Sequence, residues 1–93
     1  MLSDEEVKRR ISQLDGWELK EGKIVKTFRF STFMNAIKFV NEIARIAEAY
    51  DHHPIITVIW KTVKISLISF DVNRITERDF ILAKEIEQNF AYN

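Results

Sequence analysis

Cysteine is absent from this chain of 93 residues, proline occurs once and glycine twice. Without cysteine there is no disulfide, thiolate nucleophile, iron–sulfur cluster or cysteine-held zinc. The composition fits a reducing compartment, and the expected location is the cytoplasm. So little proline and glycine leaves few irregular loops, and Gly16 and Gly22 read as turn residues rather than a phosphate-cradling loop. Net charge is missing too: 14 basic residues balance 14 acidic ones. A nucleic-acid binder usually shows a basic stripe, and none is visible. No stretch approaches the roughly 18 apolar residues of a membrane span. The opening Met1-Leu2-Ser3-Asp4-Glu5-Glu6 is acidic, unlike a signal peptide.

What is present suits an ordinary globular protein, 46% apolar and 30% charged. The length predicts a single domain over 1–93. Ser3-Asp4-Glu5-Glu6 reads as a capping box, with Ser3 accepting from the amide three residues on and Glu6 reaching back. Val7, Ile11 and Leu14 then share a stripe, predicting a helix over 4–14 that Asp15-Gly16 stops. Trp17 to Lys20 alternates, Glu21-Gly22 suits a two-residue turn, and Lys23 to Phe30 is β-rich, so these segments predict a hairpin. Ser31 or Thr32 caps a helix of about five turns. Its expected core stripe is Phe33, Ala36, Ile37, Val40, Ile43, Ala44 and Ala47. It ends near Tyr50, because Pro54 disfavours helical geometry at His53.

Ile56 to Trp60 and Val63 to Phe70 predict a second hairpin turning at Lys61-Thr62. Asp71 to Arg74 is a loop. Thr76-Glu77-Arg78-Asp79 resembles a capping box with aspartate in the glutamate position, and Leu82, Ala83, Ile86 and Phe90 mark the core face of the last helix. The order α-β-β-α-β-β-α predicts an α+β fold: a four-stranded antiparallel sheet with helices on one face. The bare sheet face and edges need cover, which predicts a homodimer or homotetramer.

Both histidines lie in Asp51-His52-His53-Pro54, at a helix-to-strand junction. Imidazole titrates near neutral pH and suits proton transfer. Neighbours in an extended segment point in different directions, so one ring can face a ligand while the other packs. Two surface loop histidines is the plain alternative. Glu48, Asp51, His52 and His53 offer nitrogen and oxygen metal ligands, but adjacent histidines rarely meet one ion. No nucleophile elbow accompanies them.

The surroundings say more. Glu48-x-x-x-His52-His53-Pro54, followed after five residues by Trp60, resembles the signature of the pterin-4a-carbinolamine dehydratase family. Val63-Lys64-Ile65-Ser66-Leu67 and Ile75-Thr76-Glu77-Arg78-Asp79 are similar to that family's later segments, with no gap between Asp51 and Asp79. Gly16-Trp17 and Phe28-x-Phe30 also resemble it, so the likeness spans nearly the whole chain. It implies dehydration of 4a-hydroxytetrahydrobiopterin to quinonoid dihydropterin by histidine acid–base catalysis, as a hydro-lyase in tetrahydrobiopterin recycling, with no metal or organic cofactor. His52 matches the histidine of acid–base catalysis and His53 the one that mainly holds the pterin. Glu48 and Asp51 match groups that orient the imidazoles or meet the pterin's donor edge. Arg78 and Asp79 match residues near the family site, although Asp79 has a competing role as a helix cap. Trp60 and Trp17 are either core residues or stacking platforms.

One departure stands out. The family usually has a third histidine at the position of Phe70, just before the acidic Asp71, and phenylalanine has no proton to give. A non-catalytic pterin binder and a protein-interaction module of the dimerisation-cofactor kind therefore remain as alternatives. Ile55 and Ile56 also replace the family's frequent Glu-Trp after the proline.

Overall fold

A computed structural model describes residues 1–90. The elements follow the expected order: α1 (Asp4–Ser12), β1 (Glu18–Lys20), β2 (Lys23–Arg29), α2 (Phe33–Tyr50), β3 (Ile55–Ile59), β4 (Thr62–Leu67) and α3 (Glu77–Phe90). The four strands form one antiparallel sheet, ordered β1-β2-β4-β3, so β1 and β3 are its edges. Alternation sends Ile24 and Phe28 of β2, and Val63, Ile65 and Leu67 of β4, onto the face that the helices cover. Lys64 and Thr57 face the other way and stay exposed.

The caps behave largely as their residue types dictate. Ser3 Oγ accepts from Glu6 N–H at 3.1 Å, and Thr32 Oγ1 accepts from Asn35 N–H at 3.0 Å. The first box is only half made, because the Glu6 side chain pairs with Arg9 at 3.2 Å instead of reaching back. α1 also stops at Ser12, two residues before the expected end.

α2 departs in rotation rather than in extent. Its buried residues are Ala36, Phe39, Ile43 and Ala47. Phe33 and Ala44, expected inside, are exposed. The reason is an aromatic cluster. The Phe39 ring packs against Phe28 at 4.8 Å, Phe30 at 5.0 Å and Phe90 at 5.6 Å between centroids. Burying that ring outweighs the smaller Ala44 stripe.

The second hairpin is displaced by one residue. Ile59 pairs with Thr62, so the turn residues are Trp60 and Lys61, not Lys61 and Thr62. β-Branched Thr62 suits the strand, and its Oγ1 donates to Ile59 O at 2.8 Å. Trp60 takes a left-handed φ of 50° and is 70% exposed. β4 ends at Leu67 rather than Phe70, because Ser69 closes a small loop instead. Its N–H donates to Arg74 O at 2.9 Å, and Arg74 N–H donates back to Ser69 O at 3.3 Å.

Gly16 shows why the first helix–strand junction needs glycine. Its φ is +80°, and a Cβ there would lie 2.9 Å from Lys26 Cε. Lys26 is fixed: its ammonium donates to Asp15 O at 2.8 Å and to Glu87, which also accepts from Trp17 Nε1 at 2.9 Å. Gly16→Ala is expected to destabilise the fold by about 1–2 kcal/mol, because alanine resists the left-handed region. Urea denaturation measures this, and an unchanged midpoint would mean that Lys26 moves aside freely.

Candidate functional site

The turn after α2 decides which histidine is inside. Asp51 takes φ 49°, a left-handed cap that aspartate tolerates better than most residues. His52 N–H then donates to Ala47 O at 3.0 Å, folding the chain back beneath the helix end. His52 is consequently buried, at 8% exposure. The next residue points outward: the His53 side chain is 56% exposed and its Nε2 meets Glu48 Oε2 at 2.5 Å. Pro54 then commits the chain to the β3 direction.

His52 Nε2 lies 2.6 Å from Asp79 Oδ1. Asp79 is fully buried near the start of α3. Its other oxygen, Oδ2, accepts from Thr76 N–H at 2.9 Å and from Ser69 Oγ–H at 2.8 Å. Asp79 thus caps α3, as the sequence suggested, and also holds His52, a task that the resemblance assigns to Glu48 and Asp51 instead. With Nε2–H donated to the carboxylate, the lone pair of the ring is on Nδ1. Nδ1 meets no hydrogen-bonding group of the described chain, yet no buried side-chain nitrogen or oxygen among the described residues lacks a partner. Nδ1 therefore reaches the surface. The pair can move a proton at Nδ1 while Asp79 keeps the ring oriented.

The remaining candidates fall into a rim and an outlier. Arg78 donates to Asp71 Oδ1 at 2.6 Å. That bond holds the Asp71 carboxyl below its ordinary range and raises the Arg78 guanidinium. Phe70 follows the buried Ser69 and is 62% exposed, so it caps no core and borders the loop. The Glu85 carboxylate on α3 raises the phenol of Tyr50, beside Asp51. Trp60 is not brought here: along an extended strand of 3.3 Å per residue it lies about 20 Å from His53. Trp17 is a core residue, 4% exposed and edge-on to Phe28. Ser69 and Thr76 Oγ1 join this network; the sequence reading named Thr76 only as a helix cap and did not single out Ser69. The available signal was one polar residue, Ser69, interrupting the apolar run that ends at Phe70.

Depressions of ≈ 330 Å³ between α1 and Asn73–Ile75, and ≈ 440 Å³ around Ile59 and Trp60, lie elsewhere and do not include either histidine. Among the described residues no helix is long and apolar enough to cross a membrane.

Known proteins are similar to this chain in sequence and fold. The profile of the family described as pterin 4 alpha carbinolamine dehydratase matches residues 1–89. A protein of Aquifex aeolicus, provisionally named pterin-4-alpha-carbinolamine dehydratase, is 45% identical over 94% of this chain and 88% of its own length. One from Sulfolobus acidocaldarius with the same provisional name is 38% identical over 94% of this chain and 96% of its own. A crystal structure from Brucella melitensis, described as a transcriptional coactivator/pterin dehydratase, superposes with a TM-score of 0.87 at 30% identity, covering 94% of this chain and 95% of that one.

Proposed function

We propose that this chain, which belongs to the pterin 4 alpha carbinolamine dehydratase family, removes water from 4a-hydroxytetrahydrobiopterin or a close relative, with His52 as its proton-transfer group. The observation that carries this reading is the buried His52–Asp79 pair with one ring nitrogen turned outward. Dehydration breaks the C4a–O bond. The hydroxyl gains a proton and leaves as water, N5 loses its proton, and the ring electrons settle as the quinonoid dihydropterin. One proton enters and one departs, with no net redox change. Imidazolium supplies the first from Nδ1, and neutral imidazole accepts the second there. The Asp79 carboxylate steadies the charged ring between the two events. Positioned acid–base help of this kind is worth about 10²–10⁴-fold.

His53, exposed and held by Glu48, is placed to touch the flat pterin rather than to drive the chemistry. The uncovered outer edge of β3, with Ile59 and Trp60 exposed, supports a homodimer or homotetramer. The test of the reading is a stopped-flow assay on the freshly generated 4a-hydroxy compound. Acceleration over buffer supports it. Tight pterin binding without acceleration would instead establish a non-catalytic binder, the second reading that Phe70 favours.

Phe70 stands where the resemblance expects a third histidine, and its exposed ring offers no proton. The two 4a epimers present their hydroxyls on opposite ring faces. A protein with one proton donor is expected to turn over one epimer roughly 10-fold faster than the other. Phe70→His is expected to narrow that gap. Equal, full rates on both epimers in the unaltered protein would refute the assignment.

A further inference from the structure

The His52–Asp79 pair does not end at Asp79. The described chain buries four polar or charged side chains, His52, Ser66, Ser69 and Asp79, and three of them belong to one connected network. Ser69 Oγ lies 2.8 Å from Asp79 Oδ2 and 2.6 Å from Thr76 Oγ1. Bond directions follow from the proton count. The single Ser69 hydroxyl proton points at the carboxylate, so Thr76 Oγ1–H must donate to Ser69 Oγ. The chain of donation therefore runs Thr76, Ser69, Asp79, and meets His52 Nε2–H arriving at the other carboxylate oxygen.

Helix capping does not account for this. The cap is complete without the serine: Thr76 Oγ1 accepts from Arg78 N–H at 3.3 Å and Asp79 Oδ2 accepts from Thr76 N–H at 2.9 Å. The serine, which is wholly buried, adds nothing to that cap. What it adds is a second donor to Oδ2. Two fixed donors on Oδ2 set the plane of the carboxyl group and leave Oδ1 for the imidazole. A carboxylate so held accepts from Nε2–H and keeps the neutral ring in one tautomer, with its lone pair on the outward Nδ1. Hydrogen bonds in such a row also polarise one another.

We infer that Ser69 and Thr76 are positioning residues for His52, acting through Asp79 to hold the ring as the Nε2–H tautomer with Nδ1 free to exchange protons. This rests on the reading of His52 as the proton-transfer group. Neither hydroxyl touches substrate in this role.

The test combines a spectrum with kinetics. With ¹⁵N-labelled histidine, only two imidazoles contribute, and His53→Ala identifies the signals of His52. Two-bond ¹⁵N–¹H correlations then report which nitrogen carries the proton. The expected result is a protonated Nε2 and a bare Nδ1 in the neutral form of the unaltered protein. Ser69→Ala and Thr76→Val are expected to mix the tautomers and to lower kcat roughly 10–100-fold with KM nearly unchanged, the scale of a misplaced catalytic group. Thr76→Ser keeps the hydroxyl, both as acceptor from Arg78 N–H and as donor to Ser69, and is expected to keep tautomer and rate; Ser69→Ala, which leaves the α3 cap in place, separates positioning from loss of that cap. Should Ser69→Ala fail to fold, Thr76→Val decides by its tautomer, which loss of a helix cap alone would not mix. A protonated Nδ1 in the unaltered protein, or Ser69→Ala and Thr76→Val variants that preserve one tautomer and full kcat, would overturn the inference. If the tautomer responds as expected in a protein that has no dehydratase activity at all, the clamp stands and the proposed function falls.

Discussion

His52→Ala is expected to lower the dehydratase kcat by about 10²–10⁴-fold, the range that a positioned acid–base group contributes. The reasoning is chemical and positional. His52 is the one imidazole whose ring is anchored at one nitrogen by a buried carboxylate and open at the other. His53 is exposed, and its only side-chain partner among the described residues is the exposed Glu48 carboxylate. His53→Ala is accordingly expected to act mainly on KM, and it serves as the control for His52→Ala. Single-turnover stopped-flow measurement separates the two effects. The assignment would fail if the His52 variant kept its rate, or if the His53 variant lost the larger part of kcat.

Asp79→Ala is expected to cost about 3–5 kcal/mol of stability, as when one partner of a buried charged pair is removed. Three donors lose their acceptor together: His52 Nε2–H, Ser69 Oγ–H and Thr76 N–H. The last of these is also the cap of α3, worth about 1 kcal/mol alone. A domain of this size has only about 5–14 kcal/mol in hand, so the variant should sit near the edge of folding. Urea denaturation gives the measure. Asp79→Asn keeps an acceptor at one position and is expected to lose less. A loss below about 1 kcal/mol for alanine would mean that water reaches the orphaned donors, and that the network is not sealed.

The element order was legible because each helix start carries its cap and each stripe its period. Thr32 and the Thr76–Asp79 pair do what side chains of their kind do at those positions. The candidate histidine pair was legible through its neighbours in sequence, and so was its splitting into two directions; which ring goes inside was not, because the left-handed turn at Asp51 decides it. What escaped notice shares one physical origin: competition decided at a distance. The rotation of α2 depends on Phe39 meeting Phe28, Phe30 and Phe90, which lie on other elements. The hairpin turn moved to Trp60-Lys61 because Thr62 completes the ladder with Ile59, which local turn preference does not report. Ser69 looked like one more residue of a strand running to Phe70. It leaves the sheet after Leu67 to bond a carboxylate ten residues on. Trp60 fitted a motif by spacing, but spacing along a strand places it at the far end of the sheet from the histidines.

The link between His52 and Asp79 spans 27 positions of the chain. Joining such distant points costs an unfolded chain about 3 kcal/mol in loop-closure entropy. The β3–β4 hairpin lies wholly inside that span, so forming it first shortens the gap that remains to be closed. A hairpin formed early lowers the entropic cost of bringing His52 to Asp79. Until that contact closes, no buried carboxylate orients the His52 ring.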